Sequence, residues 1–130
     1  MKILMLLFAI FYSQSLFAKV YYCIEEESTG YDGADNFKRA DFTTKRFSAE
    51  IDFKNLSLIA HDIMLDTSLS THSCKKGASD TIMQCMNGWG YSFSINLKNL
   101  KFVLSSGYGY VDDDPNVDDL GLSYGKCELF

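Results

Sequence analysis

Several groups of residues in this 130-residue chain have the types and spacing to do chemistry. The first is Asp112-Asp113-Asp114-Pro115-Asn116-Val117-Asp118-Asp119. Asp112, Asp114, Asn116 and Asp118 fall at alternate positions, and alternate oxygens of a tight loop converge on one hard cation, so this is the candidate calcium site. An EF-hand would want Gly at Val117 and Glu at Ser123, and Pro115 stiffens the run. The competing reading is a solvated acidic turn. No other cofactor is expected. His61-Asp62 and Ser70-Thr71-His72-Ser73 hold the groups of a hydrolase. Nucleophilic catalysis needs a Ser-His-acid geometry and an oxyanion hole, and there is no Gly-x-Ser-x-Gly turn, so the chain reads as non-enzymatic.

Cys23, Cys74, Cys85 and Cys127 are the next group. A zinc site from His61, His72, Cys74 and Cys85 would use a His-x-Cys spacing tighter than the usual structural pair. An even cysteine set in a small exported chain reads instead as two disulfides. Four cysteines allow three pairings. Side-chain parity adds a preference. Cys23 lies opposite Val20, Tyr22 and Ile24 on its strand, and Cys127 lies opposite Leu120, Leu122 and Tyr124. That favours Cys23–Cys127 and Cys74–Cys85.

Export itself is read from the start of the chain. Met1-Lys2 is a minimal basic opening, Ile3 to Tyr12 is unbroken apolar sequence, and Ser13-Gln14-Ser15 turns polar before Leu16-Phe17-Ala18. This is the three-part layout of a signal peptide, with cleavage expected after Ala18 and Ser15 as second choice. The apolar run is too short for a membrane anchor. Residues 1–18 are therefore read as a leader and 19–130 as one domain, secreted or periplasmic. No later stretch approaches the ~18 apolar residues of a membrane span. The chain has 12 Lys+Arg against 17 Asp+Glu and a net charge of −5, one unit more negative without Lys2. With no basic cluster to neutralise phosphates, nucleic acid is excluded as a partner.

The last group is aromatic. Tyr31, Phe37, Trp89, Tyr108 and Tyr110 stand beside Gly30, Gly33, Gly88, Gly90, Gly107 and Gly109. Tyr and Trp in Gly-rich loops make adaptable contact surfaces. The same residues can instead plug the ends of a small barrel.

The elements that must position these groups are strands. Apolar residues recur with period two in Phe47-x-Ala49-x-Ile51-x-Phe53, Trp89-x-Tyr91-x-Phe93-x-Ile95-x-Leu97 and Leu100-x-Phe102-x-Leu104. The pattern predicts strands near 19–25, 44–53, 56–64, 81–86, 89–97, 100–109 and 119–129, with a short eighth near 70–74. Residues 32–41 could hold a turn of helix. Asn87-Gly88 predicts a two-residue type I′ turn pairing Met86 with Trp89 and Ile82 with Phe93. A two-residue turn at Lys98-Asn99 would pair Ile95 with Phe102 and Phe93 with Leu104. Residues 47–59 and 91–103 also echo each other at an offset of 44, through aromatic-Ser at the start and Lys-Asn-Leu at the turn. Strand alternation alone accounts for much of that match, so two hairpins built on one turn is the preferred reading over a duplication. The fold class is all-β, a small antiparallel up-and-down barrel of seven or eight strands, with a two-sheet sandwich as the alternative.

Across 19–130 the chain resembles a group of small exported bacterial proteins. The resemblance is carried by Tyr22-Cys23, Asn36-Phe37-Lys38, Cys85-x-Asn87-x-Trp89-Gly90 and, most specifically, Ser123-Tyr124-Gly125-Lys126-Cys127-Glu128-x-Phe130. It implies an exported domain and no particular activity. The chain is also similar to barrel-type periplasmic lysozyme inhibitors. Those proteins place Tyr-x-Cys on the first strand, Cys near the end, and a Ser-Gly-x-Gly loop, matched here by Ser106-Gly107-Tyr108-Gly109. Their downstream Trp-x-Lys-Gly element is absent. The expected function is a non-enzymatic exported module that binds or inhibits another extracytoplasmic protein through aromatic, Gly-rich loops. The alternative is a lipocalin-like barrel carrying a small ligand, against which the short chain argues.

Overall fold

Alternating sequence becomes strand because one face of each segment can be buried while the other stays wet. The computed structural model describes residues 18–61, 70–107, 110–111 and 119–130. Its strands are β1 (Ala18–Asp32), β2 (Lys38–Asp41), β3 (Arg46–Asp52), β4 (Ser57–His61), β5 (Ser70–Lys76), β6 (Ile82–Met86), β7 (Tyr91–Asn96), β8 (Lys101–Ser106) and β9 (Leu120–Leu129). Each pairs antiparallel with its neighbour, and β9 returns to pair with β1. β1 and β3 to β9 thus close an eight-stranded up-and-down barrel, and β2 is an extra strand outside the ring. The sandwich alternative is excluded by that closure. Residues 32–41 form a single 3-10 turn, Gly33–Asp35, followed by β2. The leader lies outside the described residues except for Ala18, which opens β1.

The interior is filled by side chains. Phe47, Phe93 and Phe102 meet across it, with ring centroids 5.2–6.0 Å apart. Ile51, Leu58, Ile95 and Met83 surround them, all buried. Burying each such side chain stabilises the fold by roughly 1.5–3 kcal/mol. Both disulfides form as parity favoured, Cys23 with Cys127 and Cys74 with Cys85, and each joins directly facing residues of adjacent strands. Cys23 and Cys127 are 104 residues apart, and closing so long a loop is worth up to about 4–5 kcal/mol in the chain-entropy model. Among the described residues every cysteine is consumed in these bonds, so the zinc reading of Cys74 and Cys85 fails. Two intramolecular disulfides point to an oxidising, extracytoplasmic setting.

The β6–β7 hairpin corrects the sequence reading. Met86 faces Ser92, Cys85 faces Phe93 and Ile82 faces Asn96, a register shifted by three from the expected one. The loop is Gly88-Trp89-Gly90, and the residue with positive φ is Gly90, at 75°, not Gly88. Asn87 explains the difference. Its N–H donates to the Tyr91 carbonyl, and its side-chain Oδ1 accepts from the N–H groups of Trp89 and Tyr91. This is a type I turn followed by a left-handed glycine, the usual three-residue hairpin. The shift by an odd number turns Met83 and Cys85 inward, where Cys85 can reach Cys74.

The β7–β8 register is as expected, Ile95 with Phe102 and Phe93 with Leu104, but its loop spans four residues rather than two. Leu100 takes a left-handed φ of 58° and its N–H donates to the Asn96 carbonyl. The β3–β4 hairpin repeats this at the offset seen in sequence. Ala49 faces Ala60, Ile51 faces Leu58, and Leu56 has a φ of 50°. Asp52 Oδ1 caps the N–H groups of Lys54 and Asn55, as Asn96 Oδ1 caps Lys98. The two hairpins lie on opposite walls, and the two disulfides close the seams between the halves that contain them, β9–β1 and β5–β6.

Two outcomes follow. Gly90→Val should destabilise the protein by about 1–2 kcal/mol in chemical denaturation, through strain at positive φ, whereas Gly88→Ala, whose Cβ meets nothing within 4 Å, should be nearly neutral. The second concerns pH. The Asn55 backbone N–H, and then its side-chain amide, hold the Asp52 carboxyl below its ordinary value. A depressed folded value stabilises above the unfolded carboxylate range and is lost as pH falls through the folded one. Asp52→Asn mimics Asn96 and should flatten the acid limb of a Tm-against-pH curve; unchanged acid sensitivity would refute the cap.

Candidate functional site

An up-and-down course sorts the connections between two ends. One end carries the tight connections 53–56, 77–81 and 97–100, and Phe53, Leu97 and Leu100 pack from there against the core. The other carries the connections 33–45, 62–69 and 107–119, all longer, and the short 87–90. Tyr31, Phe37, Trp89 and Tyr110 all belong to this second end. Trp89 and Tyr110, each 69% exposed, do not plug it, nor does the exposed Tyr31; Phe37 is half-buried. Tyr108 lies outside the described residues, as do Asp112, Asp114, Asn116 and Asp118 of the calcium reading.

Tyr31 and Phe37 sit on one flap, and Tyr110, from the β8–β9 connection, packs against it. β1 runs on past the start of β3, and over Thr29–Tyr31 it pairs with β2 on one side and β9 on the other. At Gly30 the two strands approach so closely that a Cβ would lie 1.8 Å from the Leu120 carbonyl oxygen. At the tip, Asp32 Oδ1 accepts from Ala34 N–H, and Gly33 N–H donates to Asp119 Oδ1 at 2.8 Å. Asn36 and Phe37 both take left-handed φ, 53° and 56°. A bulky residue rarely does so, and such strain concentrates at ligand-contacting positions. The Phe37 ring then meets Tyr110 edge-on at 5.0 Å. Trp89 stands on a different wall, in the loop that Asn87 organises.

The base of the flap is held by Glu25, only 7% exposed. Glu25-Glu26-Glu27 lie inside β1: Glu25 faces in with Tyr21 and Cys23 by alternation, and the bulge that follows leaves both Glu26 and Glu27 facing out. Glu25 accepts from Ser123 Oγ at 2.6 Å and from Lys45 N–H at 2.8 Å, tying β1 to β9 and to the segment entering β3. Nearby, the Glu27 carboxylate accepting from the Tyr124 hydroxyl pushes that phenol above its ordinary value. His72 is buried inside the barrel on β5, facing Leu58 across the strand pair; His61 lies on β4, and its side chain is outside the described residues. Among the described residues no three His, Cys, Asp or Glu side chains come together to hold a metal.

No helix among the described residues is long and apolar enough to cross a membrane. Compared with known proteins, the chain matches no family model and no curated sequence.

Glu25→Ala would leave the Ser123 hydroxyl and the Lys45 amide without their carboxylate. It should cost about 2–3 kcal/mol of stability in urea unfolding, against about 1 for Ser123→Ala, which removes only one of the two bonds.

Proposed function

We propose that this protein is an exported, non-enzymatic binding module, which acts by docking the aromatic loop end of its barrel onto another extracytoplasmic protein. The observation that carries the reading is the asymmetry of the two ends. Tight turns and the packed Phe53, Leu97 and Leu100 close one end, while Trp89, Tyr110 and Tyr31 stand exposed at the other. Exposed rings on anchored loops offer large contact area at small entropic cost. The second reading, a carried small ligand, is disfavoured because Phe47, Phe93 and Phe102 occupy the interior such a ligand would need. Inhibition of the partner would be steric, by occlusion. Secretion or periplasmic residence, with cleavage after Ala18, belongs to the same reading.

The test is capture from extracytoplasmic extract of the native host by the exported protein, whose mass should begin at Lys19. Wild type should retain a defined partner, and Trp89→Ser combined with Tyr110→Ser should lose it with an unchanged Tm. Native mass spectrometry should show no added small molecule. A bound small molecule, or capture indifferent to both substitutions, would refute the reading.

A further inference from the structure

We infer that β2 is an assembly edge, to which a second copy of this chain adds its own β2, antiparallel and about a two-fold axis. β2 takes no part in closing the ring, since β1 and β9 pair directly over Thr29–Tyr31. Its inner edge is held by β1, with Gly30 facing Ala40 and Tyr31 facing Arg39, and no described strand pairs with its outer edge. The hydrogen bonds show which groups that edge offers. The Phe42 N–H donates to the Ser28 carbonyl at 2.9 Å, which continues the β1–β2 register. In an antiparallel ladder bonded and non-bonded pairs alternate, so Ala40 bonds toward β1 while the main-chain groups of Arg39 and Asp41 point outward. The side chains of both are exposed. Such an edge is a template for another strand.

Charge order along β2 selects the occupant. The outward groups fall at every second residue, so a two-fold-related strand can settle only in whole steps of the ladder. With Ala40 on the axis, Arg39 faces Asp41 of the second copy and exchanges both main-chain bonds with it, and Asp41 does the same with that copy's Arg39. Opposite charges then stand side by side, and the axis passes between two small side chains. Sliding one step either way sets Arg39 against Arg39 or Asp41 against Asp41, and like charges directly opposite are destabilising. On the other face Lys38 stands opposite the second copy's Phe42, and its ammonium is paired with Asp35 of its own chain at 3.0 Å. An isologous contact must be self-complementary, and Lys38-Arg39-Ala40-Asp41 is so in this register. Charged residues commonly protect an edge from any passing strand. Here their order admits the same strand from a second copy, whereas an unrelated strand would not meet both charges with their opposites.

The contact uses the outer edge of the flap and neither Trp89 nor Tyr110, so it stands or falls apart from the proposed function. The test is sedimentation equilibrium on the oxidised domain at concentrations up to about 1 mM, the weak end of specific association, with amide hydrogen exchange on the same samples. Wild type should be a reversible dimer, and the amides of Arg39 and Asp41 should gain protection as it forms. Arg39→Asp and Asp41→Arg should each weaken dimerisation at least about tenfold, because each sets like charges together twice. The two variants mixed should form a heterodimer, since every facing pair is then opposite in sign, and that rescue cannot come from misfolding. A wild type that stays monomeric overturns the inference, even one that takes up an extended peptide at this edge. So does a dimer that protects neither amide, a pair of charge variants that dimerise as wild type does, or a mixture that stays monomeric.

Discussion

The pairing of the last strand with the first is the constraint on which the rest of this molecule depends. Without it the chain would be an open sheet with two unsatisfied edges, exposed to pairing with other chains. β9 meets β1 along most of its length, and Cys23–Cys127 locks the register at the facing pair. Closure also determines which side chains are inside. Once Cys23 and Cys127 face inward, Tyr21 goes with them and Tyr22, Ile24 and Tyr124 are turned outward.

The bulge in β1 is the second consequence of that pairing. One extra residue between Glu25 and Glu27 lets the strand bend while β9 keeps its pairing above and below. It leaves Glu26 and Glu27 both outside, beyond the inward Glu25 that bonds Ser123 and the Lys45 amide, and it directs the upper part of β1 away from β3 toward β2. The flap bearing Tyr31 and Phe37 is thus a continuation of a barrel strand, held at its base by a charged hydrogen-bond pair. A contact surface on such an element loses little freedom on binding.

The two halves show how one scaffold has been put to different uses. Asp52 and Asn96 cap the same turn, Leu56 and Leu100 take the same left-handed conformation, and the facing pairs correspond. Their connections at the opposite end differ in length. The repeated part is what a barrel needs to close its narrow end. The parts that differ are those the fold leaves open.

Much of this was legible in the chain. Period-two alternation identified the barrel strands, cysteine parity picked the disulfide partners, and glycines beside aromatics marked the loop rings, because these signals are local and survive in any β context. The ends of the barrel at which those rings gather followed from up-and-down connectivity. The register of β6 on β7 did not. Asn-Gly is compatible with two turn types, and the choice fell to Cys85, which must face Cys74 from inside a barrel that local sequence does not describe. The bonds of Glu25 were equally hidden: alternation puts it on the face of Cys23, but its partners, Lys45 and Ser123, lie far along the chain. So too was the outward turn of Val20, Tyr22 and Ile24. Parity says that alternate residues take opposite faces; only closure, which gives the cylinder an inside, decides which face is buried.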